Sequence, residues 1–511
     1  MSHFLNLAEN PLFVKHVRSR LRHASLTPSL IIMGFFCICI IWADRTFWKA
    51  EGIGSHVFFW LQLMILMLMG GSQVATSVAS VKESGILDFH RVTPVSSSRQ
   101  VLGFLLGAPI REWLFFAFTI PFALICAVMG SWGIGNFTKL LVVQITGALF
   151  YHAMAVVTGL AGKAAKGASG RLVALVIALN VISAQFNANG ANGPAMLSPL
   201  PVYMEVTNDT LLNRGGFNPR AARLDPDAKF FGVPVALVFQ TLLCQASIFI
   251  FLFIAASRRF RSGRLPLFSK PQAFFFMALL SFLTLGLLWE SSGLTLILSI
   301  SYFLTFSAVW LMSTVTVPIG EFNKGLQRAH KKGRSRIPTW SDLASNKLVV
   351  LTLALLLLGA TLLVMFFAPM PRVNFRFSPW PPLILGMLTI LSYGWAGQYF
   401  NLKYGKRGQL FFGLYIFFVW VAPVMVGGLL MASGLREAGY LMASSPPLGI
   451  FFASTADLPP LMQAEVAQAI AIAPTALLAV LFGFLLIKRE GQLIRAVDEE
   501  HRGRKEELAA E

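Results

Sequence analysis

Long apolar runs, separated by polar segments, recur about twelve times along this chain, and each is close to the roughly 20 helical residues that cross a hydrocarbon core of ~30 Å. Inside that core the backbone must satisfy its own hydrogen bonds, as an α-helix does. The pattern predicts an all-α, polytopic integral membrane protein with about twelve transmembrane helices. The predicted spans lie near 27–43, 56–81, 106–129, 140–162, 171–187, 232–257, 271–289, 292–317, 347–369, 381–400, 409–433 and 467–487.

Composition agrees with this class of protein. The 511 residues are 56% hydrophobic and only 13% charged, with a mean hydropathy of +0.67, outside the usual soluble range. A polar, basic stretch precedes the first apolar run, so we expect that run to be a retained span rather than a cleaved signal. The cysteines indicate neither a disulfide framework nor a zinc site, because all lie inside apolar runs: Cys37, Cys39, Cys126 and Cys244.

The net charge of +19 is interpreted as a topological signal. With the N-terminus inside and an even number of spans, most lysines and arginines fall in cytoplasmic segments, as the positive-inside rule requires. The sequence therefore predicts a multi-pass protein of the cell (inner) membrane with both termini in the cytoplasm. A nucleic-acid partner, the other reading of a basic chain, is not needed.

An internal repeat is predicted when the chain is divided near residue 265. Residues 1–265 would form a first six-helix half, with an N-terminal interfacial helix and a polar cytoplasmic strip at 82–105. Residues 266–511 would form a second half, with a basic strip at 318–346 and a charged C-terminal tail. Repeats of this kind build many transport pathways, although any twelve-span chain can be divided in two on paper. The strips share a carboxylate, a glycine and a proline: Glu83, Gly85 and Pro94 against Glu321, Gly325 and Pro338.

Residues 10–23 predict a short helix with Asn10 as its N-cap and Pro11 at its first position. Apolar and basic side chains fall on opposite faces, which favours a helix lying in the cytoplasmic interface. An ordinary basic flank before the first span is the alternative. The apolar face holds Phe13, Val14, Val17 and Leu21, and the basic face holds Lys15, Arg18 and Arg22.

The strip at 82–105 predicts a second short helix that lies parallel to the membrane surface. Pro94 disfavours helical geometry at Thr93 and should end it, and Ser97 or Ser98 should cap the helix that follows. We expect the polar face to point to the cytoplasm. The apolar face holds Ile86, Leu87, Phe89 and Val92, and the polar face holds Ser84, Asp88 and Arg91.

The order Glu83, Gly85, Leu87-Asp88, Thr93-Pro94 resembles the cytoplasmic strip of type-2 permeases of the ATP-binding-cassette (ABC) exporter superfamily. The N-terminal segment NPLFVKHVRSRLR also looks like the opening of that family. The resemblance implies that Glu83 to Pro94 forms the helix that couples to an ATPase subunit, with Glu321 to Pro338 as its counterpart. It also implies that the second and fifth spans of each half line the pathway, near 56–81, 171–187, 292–317 and 409–433.

No phosphate-binding loop of the form GxxxxGK[ST] occurs; the nearest string, GLAGKAAK at 159–166, lacks its first glycine and its hydroxyl residue. ATP would therefore be bound by a separate chain, and no cofactor is expected in this one. Metalloprotease and hydrolase motifs, and a pair of intramembrane carboxylates, are also missing. We do not expect this chain to be an enzyme, and we interpret Arg111 and Glu112 as interfacial charges.

Polar residues inside predicted spans are candidates for a transport pathway. His152 is the one ionisable group among them, but a neutral histidine bonded between helices is common. The amides could equally join helices by hydrogen bonds. The candidates are Gln144, His152, Asn180 and Gln240, with Gln185 and Gln245 as further polar positions.

The expected function is that of the membrane-spanning permease of an ATP-driven exporter, whose partners are an ATPase subunit and the lipid bilayer. The alternative is a twelve-span secondary transporter of the major-facilitator type. That class usually carries a Gly-Asp-Arg strip after its second span, which KESGILDFHRVTP does not match. A polytopic enzyme or assembly scaffold is a third class. The fold does not indicate the transported substrate.

Overall fold

The computed structural model of the chain describes residues 9–47, 53–130, 132–161, 194–212, 229–263, 266–289, 293–367, 380–452 and 464–510, with short pieces between 167 and 177. The chain divides into two compact units, Met1–Leu265 and Pro266–Glu511. Within the described ranges the units are helical apart from one small hairpin. In it β1 (Lys229–Phe230) pairs antiparallel with β2 (Val233–Pro234) around Phe231 and Gly232, whose φ angles are 51° and 79°.

The first unit is built from spanning helices joined by short surface helices. A π-helical segment, Met64–Gly70, joins two α-helices into one long span. The helices are α1 (Pro11–Arg20), α2 (His23–Thr46), α3 (Ile53–Leu63), α4 (Gly71–Glu83), α5 (Ile86–Val92), α6 (Ser97–Gly107), α7 (Ile110–Met129), α8 (Gly133–Ala161), α9 (Leu200–Leu212) and α10 (Leu237–Arg261).

The second unit also contains a π-helical segment, Phe417–Val421, within its own long helical stretch. Its helices are α11 (Lys270–Leu288), α12 (Gly293–Val315), α13 (Ile319–Lys331), α14 (Lys347–Phe367), α15 (Trp380–Tyr404), α16 (Gly408–Ile416), α17 (Ala422–Ala432), α18 (Gly439–Ala443), α19 (Pro446–Phe452) and α20 (Ala464–Ala510).

The part of the chain that the structure describes contains nine helices long and apolar enough to cross a membrane, and a tenth if α12 and α13, bent by 67°, count as one span. The chain is therefore a multi-pass, all-α membrane protein. The predicted span at 171–187 lies largely outside the described residues, as does Asn180. The number twelve stays a prediction.

The apolar stretch Trp380–Ala432 is 53 residues long, about 80 Å if it were one straight helix and far more than a ~30 Å core requires. Ring contacts show that it doubles back. Tyr404 lies 4.3 Å from Phe411, and Tyr393 lies 5.4 Å from Trp420, between ring centroids. Gly405 makes the turn with φ of 56°. α15 therefore packs antiparallel to α16 and to the π-helical segment that follows it, which agrees with separate spans near 381–400 and 409–433.

The C-terminal tail is helical, which the sequence analysis did not predict. α20 runs for 47 residues without a break, about 70 Å, so it continues well beyond the span predicted at 467–487. Glu, Lys, Arg, Leu and Ala dominate its second half, and these are strong helix formers. A charged tail and a helix are compatible, because most of the charges face solvent on a helix that packs through one side.

The N-terminal helix α1 begins as predicted. The Asn10 Oδ1 accepts hydrogen bonds from the backbone N–H groups of Leu12 (3.1 Å) and Phe13 (3.4 Å). Its Nδ2 donates to the carbonyl of Arg99 at 2.6 Å, which ties α1 to α6. A Cβ on Gly103 would lie 2.8 Å from the Leu12 Cβ, so the glycine permits this close approach. α1 is thus a helix that packs against α6, and not merely a basic flank before the first span.

Candidate functional site

The first strip is a short helix mounted between two longer ones. α4 ends at Glu83, and Gly85, with φ of 75°, turns the chain into α5. α5 ends at Val92, and Thr93 is extended with ψ of 153°, as the following Pro94 predicts. The cap of α6 is Ser96, not Ser97 or Ser98 as predicted, because its hydroxyl accepts from the Arg99 N–H at 3.4 Å.

Apolar and polar residues in and just before α5 are both exposed, Ser84 and Asp88 among the polar ones, so the expectation that its polar face points to the cytoplasm stays a prediction. Ile86 is 41% exposed, Phe89 67% and Val92 80%, whereas Leu87 is buried. These three exposed residues form what we call the apolar stripe of α5. Of the predicted polar face only Arg91 is turned inward, and its hydrogen bonds account for this.

Arg91 joins α5 to the end of α10. Its Nε donates to the carbonyl of Phe260 at 3.1 Å and its Nη2 to that of Arg259 at 3.3 Å. Carbonyls in the last turn of a helix lack intrahelical partners and attract cations. A Cβ on Gly263 would lie 2.6 Å from the guanidinium, so glycine leaves room for it. Asp88 also pairs with Arg91, but its side chain is 77% exposed.

A second hydrogen bond attaches the start of the strip to α8. The Lys82 ammonium donates to the carbonyl of Leu160, near the end of α8, at 2.5 Å. Glu83 and Pro94, on either side of α5, are both exposed. The strip is therefore fixed at its base by cations that bind helix-terminal carbonyls, while its outer surface stays open.

The second strip has the reverse orientation. On α13 the apolar residues Phe322, Leu326 and Ala329 are 4%, 1% and 5% exposed, and Lys324, Arg328 and Lys331 lie on the opposite, exposed face. The buried face belongs to a core formed with α15, α16 and α20. The members of this core from those helices include Tyr399, Leu402, Tyr415, Leu486, Leu493, Ile494 and Val497.

Glu321, Gly325 and Pro338 do not take the positions of Glu83, Gly85 and Pro94. Glu321 lies in the first turn of α13 and pairs with Lys324 at 2.8 Å. Gly325 lies inside α13, where a Cβ would be 2.7 Å from the Ile337 Cδ1. Pro338 lies in a later turn, where its carbonyl accepts from the Ser341 N–H at 2.9 Å. The correspondence expected between the two strips is wrong in local geometry.

A buried lysine, which the sequence analysis did not single out, fixes the loop after α13. Lys270, at the start of α11, is 1% exposed. Its ammonium donates to the carbonyls of Thr339 (3.2 Å), Ala344 (2.7 Å) and Ser345 (2.7 Å). The signal in the sequence was weak, because Lys270 lies in a basic cluster that the positive-inside rule already explains.

A histidine–aspartate contact joins α20 to the second strip, and an ion pair joins it to the start of α14. The His330 Nε2 lies 2.5 Å from the Asp498 Oδ1, and the His330 ring lies 4.8 Å from that of His501. The Lys347 ammonium lies 2.6 Å from the Glu490 Oε2. The C-terminal helix thus covers the strip of the second unit from one side.

The candidate pathway residues that the structure describes all bond to backbone carbonyls. The Gln144 Nε2 donates to Phe59 at 3.2 Å, and the Gln240 Nε2 donates to Val235 at 2.9 Å. The His152 Nε2 lies 2.9 Å from the carbonyl of Leu66, inside the π-helical segment. Gln144 and His152 thus join helices, whereas Gln240 bonds to a residue just before its own helix, and a role in transport stays a prediction.

Glu112 is completely buried within the protein, and its interpretation as an interfacial charge stays a prediction. It lies in the first turn of α7, where the helix dipole favours a carboxylate. Its Oε1 is 3.3 Å from the Arg111 Nη2. The adjacent arginine and glutamate were visible in the sequence, but burial at this depth depends on the packing of other helices.

Among the residues that the structure describes, no group of three or more His, Cys, Asp or Glu side chains could hold a metal ion. Comparisons with protein-family models, with curated proteins and with solved structures find no match for this chain. The candidate site is therefore the first strip, on the evidence of its geometry alone. It is a short helix that hydrogen bonds of Lys82 and Arg91 hold to neighbouring helices, and its apolar stripe is exposed.

Proposed function

We propose that this chain is the transmembrane permease of an ATP-driven exporter, energised by a separate ATPase subunit that docks on α5. The observation that carries the proposal is the apolar stripe of α5. Stable protein interfaces centre on a few buried apolar anchors. Ile86, Phe89 and Val92, at i, i+3 and i+6, offer such anchors on one face of a helix next to the membrane.

The hydrogen bonds that attach α5 to neighbouring helices suit an element that transmits force from a docked subunit. A displacement of α5 acts on α4 through Gly85 and on α6 through the extended residues before Ser96. It also acts on α10, because Arg91 holds the last carbonyls of that helix. A docked subunit that moves α5 would therefore move several spanning helices together.

The π-helical segments give these helices places to adjust. One interrupts the span that ends at α4, and the other lies in the stretch from α16 to α17. Both stretches coincide with spans that the family resemblance assigns to the pathway. π-Helical turns are frequent at functional sites, and the shifted hydrogen-bond register permits local changes in the helix.

The first test is isolation of the complex. The full chain, tagged and extracted from its native membrane in mild detergent, is expected to carry an ATP-hydrolysing subunit with it. The proposal is overturned if the purified chain carries no such subunit and, after reconstitution, drives transport from an ion gradient alone. That second result would identify a secondary transporter.

The second test addresses the docking surface. The variant F89D/V92D places carboxylates on the apolar stripe of α5 and is expected to lower recovery of the ATPase subunit at least tenfold, because such anchors contribute about 2 kcal/mol or more each. A496D is the matched control, since Ala496 is an exposed residue of α20. Equal recovery with both variants would show that α5 is not the docking surface.

A further inference from the structure

We infer that the exposed basic face of α13, continued by the loop after it, binds the headgroups of anionic phospholipids at the cytoplasmic membrane surface. This inference is independent of the ATPase partner. The face is formed by Lys324, Arg328 and Lys331 on the helix, followed by Lys332, Arg334 and Arg336. We call these six residues the basic face of α13.

The charges of this face are largely uncompensated. Glu321 pairs with Lys324 at 2.8 Å, and Asp498 lies beside His330. Arg328, Lys331, Lys332, Arg334 and Arg336 form no ion pair with any residue that the structure describes. Clusters of four to eight Lys and Arg directly after a span attract anionic lipids, with about 1 kcal/mol for each cation near the surface.

The bend between α12 and α13 keeps these cations at the level of the headgroups. α13 has 13 residues, or about 20 Å of helix. Because its axis turns 67° from that of α12, it advances only about 8 Å along the direction of the spanning helix. The headgroup layer on each side of the ~30 Å core is about 5–8 Å deep. The three cations on α13 itself, Lys324, Arg328 and Lys331, therefore lie within or next to that layer.

The buried side of α13 decides between a lipid and a protein as the ligand. Its apolar residues, Phe322, Leu326 and Ala329, are already covered by the protein's own helices. What remains exposed is charge without an apolar anchor, whereas stable protein interfaces need such anchors. Headgroups need only cations. The first strip presents the opposite surface, an apolar stripe, so the two strips take different ligands.

An aromatic residue marks the same level. Trp340, after the basic loop, is 41% exposed, and its ring lies 6.2 Å from that of Phe274 in the second turn of α11. Tryptophan is enriched where the hydrocarbon core meets the headgroups. The loop thus has the two features of a membrane-surface segment, an indole at the boundary and cations beside it.

The test uses the full chain in nanodiscs of phosphatidylcholine, titrated with phosphatidylglycerol, and follows hydrogen exchange of residues 319–336. We expect protection to rise with phosphatidylglycerol. In R328Q/K331Q the apparent affinity should fall by an order of magnitude or more, since two cations contribute about 2 kcal/mol. R328K/K331R should restore it. Free inorganic phosphate is added as a separate arm and should not reproduce the protection.

The matched control is R495Q/R502Q, which removes the same charge from exposed positions of α20. It should leave the lipid response unchanged. An equal loss in both double variants would overturn the inference, because the effect would then follow net charge. Protection that is independent of phosphatidylglycerol but appears on addition of a purified acidic partner protein would also overturn it.

Discussion

At the scale of single residues, the contacts of Arg91 give the first strip its orientation. The sequence marks Arg91 as a strip residue, because it lies on the polar side of a short amphipathic pattern. It does not indicate the bonds to Arg259 and Phe260, since those residues are 168 and 169 positions away. The carbonyls at the end of α10 can accept hydrogen bonds from Arg91 only after the spanning helices have packed together. The sequence therefore indicated the type of residue but not that Arg91 turns inward, while Asp88 of the same face is exposed.

Replacing Arg91 by alanine should loosen α5 from α10. Two charge-assisted hydrogen bonds to carbonyls in the last turn of α10 are lost, with an expected local destabilisation of about 1–3 kcal/mol. D88N is the matched variant, because it removes the ion pair and keeps the carbonyl bonds; we expect less than about 1 kcal/mol from it. Hydrogen exchange of residues 86–92 measures both. Similar exchange in the two variants would assign the role to the ion pair instead.

His16 makes the packing of α1 against α6 sensitive to pH. Its ring packs against Phe104 of α6 at 5.4 Å between centroids. Burial, with Arg20 and Lys15 nearby, lowers the pKa of His16 from 6.5 to about 4. The folded protein therefore holds this histidine neutral at pH values where the unfolded chain would bind a proton. Its contribution to stability is complete above pH 6.5 and is lost as the pH falls towards 4.

The prediction for His16 is a difference between two pH profiles. The thermal midpoint of the wild-type chain should fall relative to that of H16Q as the pH is lowered from 6.5 towards 4, because glutamine has no proton to bind. Measuring the difference removes the titration of other groups that both proteins share. Parallel profiles would mean that His16 does not titrate differently in the folded state.

At the scale of elements, the sequence predicted where helices begin and end better than which face they bury. Asn10, Pro11 and Pro94 mark termini through local backbone geometry, and the structure agrees at each. The faces of α5 and α13 depend on what covers them. An apolar stripe next to a membrane can pack against the same chain, against lipid or against a partner protein. The helical periodicity of the apolar residues is the same in each case. Only the packing of α15, α16 and α20 shows that the apolar face of α13 is already covered.

The covering of α13 by α20 can be tested in the intact chain. The variant I494D/V497D places carboxylates in the apolar contact with α13, and burying an unpaired charge is strongly unfavourable. We expect residues 488–510 and 319–331 to lose protection from hydrogen exchange together, while the spanning part of α20 keeps its protection. The control A496D changes an exposed neighbour. Loss of protection in only one of the two segments would contradict a direct contact.

At the scale of the whole molecule, hydropathy was sufficient for the class of fold. The apolar runs predicted a multi-pass helical membrane protein, and the described residues bear this out. The apolar runs also divided this part of the sequence into separate spans near 381–400 and 409–433, and the reversal of the chain between α15 and α16 agrees with that division. The reversal depends on Gly405 and on ring contacts such as Tyr393 with Trp420. The length of α20 was missed because charged residues were interpreted as a tail.

The reversal at Gly405 makes a definite prediction for topology. If α15 and α16–α17 are separate spans, residues 406 and 433 lie on opposite sides of the membrane, and the positive charges near the turn place Lys406 in the cytoplasm. The experiment introduces single cysteines by K406C, S433C and S335C, all at exposed positions, in a background without Cys37, Cys39, Cys126 and Cys244. A membrane-impermeant maleimide applied from outside should label only S433C, and K406C and S335C should react only after the membrane is opened. Labelling of K406C and S433C from the same side would show that the stretch crosses the membrane differently, and would remove the basis for an even number of spans.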